Sequence, residues 1–147
     1  DLRFNIDIKT EDALEETIRI IKKMNFLDKT CLASFSSSRL KRIKHLAGPE
    51  ACISSGQMDI FKMMCQSVGI GLKATMSQCA QIPLKQWGVP VLTKKFIEIA
   101  KKQNKFVHVW TIDDKDQMFE LIDFGVDGLM TDKPSVLKEA MVEKGLF

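Results

Sequence analysis

The chain has 147 residues, of which 45% are hydrophobic and 28% charged, and its net charge is +3. This composition is typical of a globular domain and excludes intrinsic disorder, and no run of about 18 apolar residues predicts a membrane span. The length predicts one domain. The densest basic stretch, residues 39–44, has no interleaved aromatic residues, so neither it nor the small net charge indicates nucleic-acid binding.

The first half of the chain reads as strand–helix units. Residues 4–9 alternate apolar and polar side chains, which predicts a strand, and a helix capped by Thr10 follows to residue 25. Three further elements are then predicted in chain order, a strand over 30–35, a helix after Ser36–Ser38 and a strand over 51–54. A helix around 60–68 comes next. Between residues 69 and 83 the pattern leaves two strands open, over 72–75 or over 80–82.

The second half repeats this alternation more clearly. It predicts, in order, a helix over 91–103, a strand over 106–110, a helix capped by Asp113 and Asp114 and ending at Gly125, a strand over 128–130, and a last helix capped by Thr131 and Asp132. Units of about 20–30 residues predict parallel strands joined by helices. An open doubly wound sheet and part of a closed barrel both fit, and nucleotide-binding glycine motifs are absent from the sequence.

Polar residues collect where the predicted strands end, which is where parallel α/β folds carry their chemistry. Asp7 and Lys9 lie on one face of the first strand. Asp7 could bind a hard cation and Lys9 a phosphoryl oxygen, or, equally, the two side chains could form an ion pair with each other. Trp110 suits either a substrate-binding wall or the core. His108 shares an apolar face, which favours a core residue over a catalytic base.

The four cysteines form no CxxC pair and the chain has only two histidines, so the spacing does not predict a structural zinc site. A chain of this length does not need disulfides to fold. Free thiols in a reducing compartment, such as the cytoplasm, are therefore the expectation.

Two segments near the C-terminus carry a family resemblance. Residues 107–114 (VHVWTIDD) and residues 123–134 (DFGVDGLMTDKP) resemble the C-terminal signature of the glycerophosphodiester phosphodiesterase family. Residues 6–9 (IDIK), 33–35 (ASF) and 81–83 (QIP) resemble further family segments and follow in the family's order.

The resemblance implies an α/β fold that is the C-terminal part of a TIM-type (β/α)8 barrel, roughly strands four to eight. Residues 1–147 would then be a single partial-barrel segment lacking its N-terminal strands, since a complete barrel needs about 200 residues or more. The resemblance also implies a reaction, the hydrolysis of a glycerophosphodiester to glycerol phosphate and an alcohol with a divalent metal, Ca²⁺ or Mg²⁺.

Site residues follow from the resemblance position by position. Asp7 falls on a metal-binding glutamate, Lys9 on a lysine that contacts the phosphate, Trp110 on a tryptophan of the substrate pocket, and Phe35 at the pocket rim. Aspartate is about 1.5 Å shorter than glutamate, which a bridging water or a small backbone shift must compensate. The family's H-R-G motif, E-x-D pair and second histidine are not in the chain, so we expect this segment alone to be inactive.

Two other interpretations stay open at this stage. The chain could belong to a catalytically dead barrel, or be a free-standing open α/β domain, that binds a ligand or a protein partner. A partial barrel would expose an apolar strand edge, which predicts self-association. None of these interpretations involves nucleic acid or a membrane span.

Overall fold

The computed structural model describes residues 2–73 and 75–147. Its strands are β1 (Phe4–Asp7), β2 (Thr30–Ala33), β3 (Cys52–Ile53), β4 (Cys79–Pro83), β5 (Lys85–Gln86), β6 (Val89–Pro90), β7 (Phe106–Trp110) and β8 (Gly128–Leu129). Its helices are α1 (Asp12–Lys23), α2 (Ser37–Ala47), α3 (Gln57–Ser67), α4 (Lys94–Lys102), α5 (Lys115–Phe124) and α6 (Pro134–Glu143), with a 3₁₀ turn at Leu27–Lys29. No helix in the described part of the chain is long and apolar enough to cross a membrane.

Six of the strands form one parallel series in the order β1-β2-β3-β4-β7-β8. A parallel bridge between Ser54 and Cys79, with Gln78 N donating to Ile53 O at 3.0 Å, joins the third strand to the fourth. Neighbours in space are thus neighbours in sequence, apart from the β5–β6 hairpin. A doubly wound sheet reverses its strand order in the middle, whereas a barrel does not, so this order favours the barrel segment.

The number of parallel strands corrects one expectation. The resemblance implied strands four to eight, five strands in all, but residues 2–73 and 75–147 supply six. β1 pairs with β2 over its whole length, from Phe4 opposite Thr30 to Asp7 opposite Ala33, and is a full member of the series. The assignment implied by the resemblance is therefore one strand short.

The apolar side chains form two adjoining clusters. One packs α1 and α2 against β1–β3, with Leu14, Leu32 and Ile43 fully buried. The other packs helices α3–α6 against β4, β7 and β8, around Phe96 and Val107. Alternate residues of each strand face these helices, so the intervening residues point to the opposite face, where polar side chains can collect.

Several helix starts match the sequence and two do not. Ser36 caps α2 and Asp114 caps α5, each accepting a hydrogen bond from a backbone N–H three residues on. α1 begins at Asp12 with Glu11 at its N-cap position, so Thr10 is not the cap. Lys133 occupies the N-cap position of α6 and gives no side-chain cap, so the predicted capping role of Asp132 and Thr131 is wrong.

The ambiguous segment resolves in favour of the later strand. β4 covers Cys79–Pro83, close to the predicted 80–82. The competing prediction over 72–75 is wrong for Leu72, Lys73 and Thr75, which lie outside any strand, while Ala74 lies outside the described residues. The β5–β6 hairpin that follows was not predicted. Its turn holds Trp87 at φ 49° and Gly88 at φ 79°.

Candidate functional site

A cavity of about 630 Å³ opens at the carboxyl ends of the parallel strands. All four residues singled out from the sequence line it, namely Asp7, Lys9, Phe35 and Trp110. They come from the ends of β1, β2 and β7, which are far apart in the chain. The strand series therefore brings together the residues that the resemblance implied, and the volume falls in the range of about 300–1,000 Å³ typical of small-molecule sites.

The end of β1 is held in place through Ile8. This residue is 2% exposed, and its N–H donates to Ala33 O at 2.8 Å. Its carbonyl accepts from Ser34 Oγ at 2.9 Å and from an Arg39 guanidinium N–H at 3.1 Å. Because successive side chains of an extended segment alternate, burial of Ile8 on one face directs Asp7 and Lys9 to the other.

Asp7 and Lys9 are both exposed to the cavity. Neither side chain forms an ion pair or a hydrogen bond with any residue of the described chain, so the ion-pair alternative for these two residues is not realised. By contrast, the neighbouring Glu11 pairs with Arg39 and Arg42. A carboxylate and an ammonium group are thus both left available at the mouth of the cavity.

Two aromatic rings form a wall of the cavity. Phe35 and Trp110 meet edge to face, with centroids 5.8 Å apart and ring planes at 83°. Phe35 is 55% exposed although it is apolar, whereas Trp110 is half-buried at the end of β7. An exposed phenyl ring against a half-buried indole leaves apolar surface directed into the cavity.

Polar residues that were not assigned to the site from the sequence form the floor, although Ser55 lies at one of the polar strand ends that the sequence predicts. Gln81 Nε2 donates to Asn5 Oδ1 at 2.7 Å across the strand series, and both residues line the cavity. Ser55 is buried and its hydroxyl lies 2.7 Å from Ser77 Oγ. Asn5 could have been found from its place on the same strand face as Asp7. Gln81 lies in the segment 81–83 that resembles the family, but its strand was one of two alternatives, so its place in the site could not be predicted.

The wall after β8 depends on Asp113. Its carboxylate accepts from Thr131 Oγ1 at 2.7 Å and from Asp132 N at 2.9 Å. These bonds, the one from Thr131 first, hold the pKa of the Asp113 carboxyl below its usual value. Asp132 therefore follows an ordered turn and lines the cavity, where its exposed carboxylate is a second acidic group beside Asp7.

The β5–β6 hairpin closes one side of the cavity. Lys85, Gln86 and Trp87 all contribute to the lining. Trp87 stands at the turn and is 90% exposed, the largest exposed fraction among the large hydrophobic residues described. A second cation and a second indole are thus carried on a two-stranded projection rather than on the parallel series.

Neither histidine of the chain lines the cavity. His108 is half-buried, and that burial lowers its pKa, against smaller opposing effects of Asp127 and Cys52. Its ring packs over Gly128, where an added Cβ would lie 2.9 Å from His108 Cδ2. This supports the expected core role of His108. His45 is exposed on α2.

The cavity offers oxygen ligands for a hard cation, though not a complete set at one point. Asp7 has no cationic partner among the described residues, and an exposed carboxylate is a ligand type that Ca²⁺ and Mg²⁺ prefer. Within residues 2–73 and 75–147 no group of three acidic or histidine ligands lies together. Asp7 therefore fits as one ligand of such a cation.

Comparison with known proteins identifies the family. A sequence profile described as the "Glycerophosphoryl diester phosphodiesterase family" matches residues 2–136. The "Probable glycerophosphodiester phosphodiesterase 2" of Mycobacterium tuberculosis is 31% identical over 150 residues, covering 99% of this chain and 57% of that protein. The "Glycerophosphodiester phosphodiesterase" of Caldanaerobacter subterraneus subsp. tengcongensis is 29% identical over 154 residues, with the same two coverages.

Solved structures from the same comparison show that the fold of this chain is similar to that of such phosphodiesterases. A glycerophosphodiester phosphodiesterase from Parabacteroides distasonis matches with a TM-score of 0.72 at 21% identity, over 97% of this chain and 58% of that one. An Oleispira antarctica phosphodiesterase in complex with the product sn-glycerol-3-phosphate matches with a TM-score of 0.65 at 18% identity, over 95% and 55%. The predicted fold, parallel strands alternating with helices as part of such a barrel, is confirmed.

The chain spans a little over half the length of the relatives it matches. Within that span the agreement is nearly continuous, and the profile match runs from before β1 into α6. The motifs around β1, β7 and β8 that carried the resemblance all lie inside it. On this basis the chain belongs to the glycerophosphoryl diester phosphodiesterase family.

Proposed function

We propose that the protein containing this chain hydrolyses glycerophosphodiesters to glycerol phosphate and an alcohol, and that this chain supplies the phosphate-binding side of the site. One observation carries the proposal: the side chains of Asp7 and Lys9 both lack a partner among the described residues, and both residues line the cavity together with Phe35 and Trp110. A cation, a carboxylate and an apolar wall are the groups that a metal-dependent phosphodiesterase needs on one side of its substrate.

Lys9 is the phosphate ligand in this proposal. A phosphodiester carries one negative charge, and an ammonium group donates strong charge-assisted hydrogen bonds to its oxygens. The attack of water adds negative charge to those oxygens, so a fixed cation stabilises the transition state more than the ground state. The backbone anchoring at Ile8 holds Lys9 where its charge points into the cavity.

Asp7 supplies one ligand to a Ca²⁺ or Mg²⁺ ion. When bound, such an ion polarises the phosphoryl group and lowers the pKa of a coordinated water. Asp7 holds one coordination position, and its short side chain keeps the carboxylate close to β1. Asp132 also lines the cavity and adds negative charge that favours a cation there.

Phe35 and Trp110 bind the carbon skeleton of the substrate. Glycerol and small alcohol groups offer C–H surfaces, which pack against aromatic faces while their hydroxyls reach polar partners. Asn5 and Gln81 on the floor carry amide groups suited to those hydroxyls.

The described residues do not supply a group that could donate a proton to the leaving alcohol. Neither His45 nor His108 lines the cavity, so no imidazole of the described residues can act there as general acid or base. The chain by itself is therefore proposed to bind the substrate without hydrolysing it. The same observation favours the second candidate, a catalytically dead domain that only binds its ligand.

Calorimetric titration with sn-glycerol-3-phosphate tests the proposal. Wild-type chain should bind in the presence of Mg²⁺ or Ca²⁺, and Lys9→Met should weaken binding roughly 10- to 100-fold, since a hydrogen bond to a charged group contributes about 1.5–3 kcal/mol. Lys102→Met, which removes an exposed lysine on α4 outside the cavity, is the matched control. Equal affinities of the two variants would contradict the assignment of Lys9.

Turnover separates the two candidate functions. The 147-residue chain should not release choline from glycerophosphocholine with either metal. Hydrolysis by this chain would contradict the proposal that the general acid and base are residues outside it. A longer form of the protein that binds sn-glycerol-3-phosphate through Lys9, yet hydrolyses no glycerophosphodiester, would favour the binding-only candidate.

A further inference from the structure

We propose that Cys31, Cys52 and Cys79 form a trithiolate site for one soft divalent cation of the Zn²⁺ or Cd²⁺ class. The three residues lie on β2, β3 and β4, three consecutive strands of the parallel series. None of them lines the cavity described above. The site is independent of the proposed hydrolysis and of the hard cation proposed at Asp7.

The strand register brings the three side chains together. Cys31 is the direct partner of Cys52, and Cys79 forms the bridge to Ser54, which lies two residues after Cys52, just beyond the end of β3. Residues two apart on a strand share a face. All three sulfur atoms accordingly lie within 4.8 Å of one another, the one such cluster of potential metal ligands in residues 2–73 and 75–147.

The sulfur spacing fits a metal ion. Cys52 Sγ and Cys79 Sγ are 3.9 Å apart. A Zn–S bond of about 2.3 Å places two sulfurs about 3.8 Å apart in tetrahedral geometry and about 4.0 Å apart in trigonal geometry. The observed separation lies between these values, so an ion could bind with little movement of the two strands.

The electrostatics favour one thiolate in the cluster, at Cys52, because hydrogen bonding to Cys52 and burial raise the pKa of both Cys31 and Cys79. Hydrogen bonds with the Cys31 and Cys79 thiols lower the pKa of Cys52, and the charges of Lys44 and His108 lower it further, against the effect of burial. The thiolate is the form that binds metals, and ion binding displaces the remaining thiol protons. The negative charge of three thiolates is then compensated by the divalent ion.

The surroundings suit a protected but reachable ion. Cys79 is 4% exposed, whereas Cys31 and Cys52 are half-buried. Gln81 Nε2 lies 3.9 Å from Cys31 Sγ and can donate to a sulfur ligand from outside the cluster. Thiolates select soft ions and leave Ca²⁺ and Mg²⁺ to oxygen ligands. A water molecule would complete a tetrahedral site.

Thiol protection by Cd²⁺ tests the proposal on the unaltered chain. Alkylation by N-ethylmaleimide, followed by peptide mapping, gives the labelling rate of each cysteine under native conditions. One equivalent of Cd²⁺ should slow labelling of Cys31 and Cys52 while leaving Cys65, on α3, at its metal-free rate. Unchanged rates at Cys31 and Cys52, or equal slowing at Cys65, would overturn the site, and Ca²⁺ should protect none of them.

Variants provide the matching measurement. Wild-type chain should bind one Cd²⁺ and develop sulfur-to-metal charge-transfer absorption in the ultraviolet, with Cys65→Ser indistinguishable from it. Cys52→Ser should weaken binding by more than about 100-fold, since loss of even an outer partner costs about 10- to 100-fold. Circular dichroism of both variants checks that they fold. A folded Cys52→Ser that binds Cd²⁺ as tightly as wild type would contradict the proposal.

Discussion

Phe35 and Trp110 make an edge-to-face contact across the mouth of the cavity, with ring centroids 5.8 Å apart, although they follow β2 and end β7. Nothing local in either segment requires this contact. It arises because all the parallel strands of one series end at the same side, including β2 and β7, which are not direct neighbours. The contact therefore links the topology of the chain to the chemistry of its cavity.

The first prediction concerns this aromatic wall. Phe35→Leu should weaken binding of sn-glycerol-3-phosphate about 2- to 10-fold, because the smaller side chain loses roughly 20–50 Å² of apolar contact with the ligand at about 25 cal/mol per Å². Phe61→Leu is the matched control, since Phe61 is 58% exposed against 55% for Phe35 and lies outside the cavity. Isothermal calorimetry measures both. Equal losses in the two variants would mean that the wall does not contact the ligand.

The second prediction concerns Arg39, whose guanidinium donates to Ile8 O, to Ser34 Oγ and to Glu11. Arg39→Met should lower the free energy of unfolding by about 1–3 kcal/mol, because it leaves the buried Ser34 and Ile8 groups with fewer donors. Lys9 should then bind its anion less well, because the end of β1 loses an anchor.

Arg19 provides the comparison for Arg39. Its side chain is 63% exposed and, among the described residues, pairs only with Glu16 on the same helix, and such an exposed ion pair contributes little to stability. Chemical denaturation of Arg39→Met and Arg19→Met should therefore differ clearly. Equal destabilisation would show that the buried contacts of Arg39 do not anchor the end of β1.

The third prediction concerns pH. Burial lowers the pKa of His108 below its unfolded value of about 6.5, so the folded state binds this proton less readily than the unfolded state. The contribution of neutral His108 to the free energy of unfolding is therefore fully present above pH 6.5 and is lost as the pH falls through the lowered pKa. One proton limits the slope to about 1.4 kcal/mol per pH unit.

Urea denaturation between pH 7 and pH 5 measures that slope. His108→Gln should reduce it, whatever its effect on stability at neutral pH, while His45→Gln, at an exposed position of α2, should leave it unchanged. A slope that survives in His108→Gln would assign the pH dependence to other groups.

The fourth prediction concerns the ends of the strand series. In the described chain β1 pairs only with β2, and Phe4 at its start is 43% exposed. An open apolar edge favours pairing with a second copy, and a lysine on the edge opposes it. Sedimentation equilibrium should therefore detect concentration-dependent association that Phe4→Lys weakens.

Phe106 is the control for the edge. It is 58% exposed and also begins a strand, but β7 has neighbours on both sides. Phe106→Lys should associate as wild type does. A wild-type chain that stays monomeric over the whole concentration series would contradict the edge prediction.

Much of the fold could be predicted because its signals are local. The strand over 106–110 was placed correctly, since its apolar run is bounded by polar residues on both sides. The β5–β6 hairpin could not be found, because strands of two residues have no readable period. Asp132 was misassigned as a cap because Asp before a helix is the usual pattern, whereas its place in the cavity depends on the turn that Asp113 organises.

Part of the candidate site could also be predicted from the sequence, and part of the chemistry could not. Asp7, Lys9, Phe35 and Trp110 were identified through motifs and do line one cavity, while their individual roles remain predictions. The cysteine cluster was invisible to spacing rules, because its three members are neither close in sequence nor in a CxxC pattern. Only the register of three strands aligns them.

A nuclear magnetic resonance titration of the chain with sn-glycerol-3-phosphate in the presence of Mg²⁺ tests most directly whether this cavity binds the ligand through Lys9. The chain has two tryptophans, Trp87 and Trp110, and both line the cavity, so their two indole N–H signals report on it without further assignment. We predict that both signals shift saturably in wild type and that Lys9→Met weakens the response. Indole signals that stay unchanged while the ligand binds, or a response in Lys9→Met equal to that of wild type, would contradict this prediction.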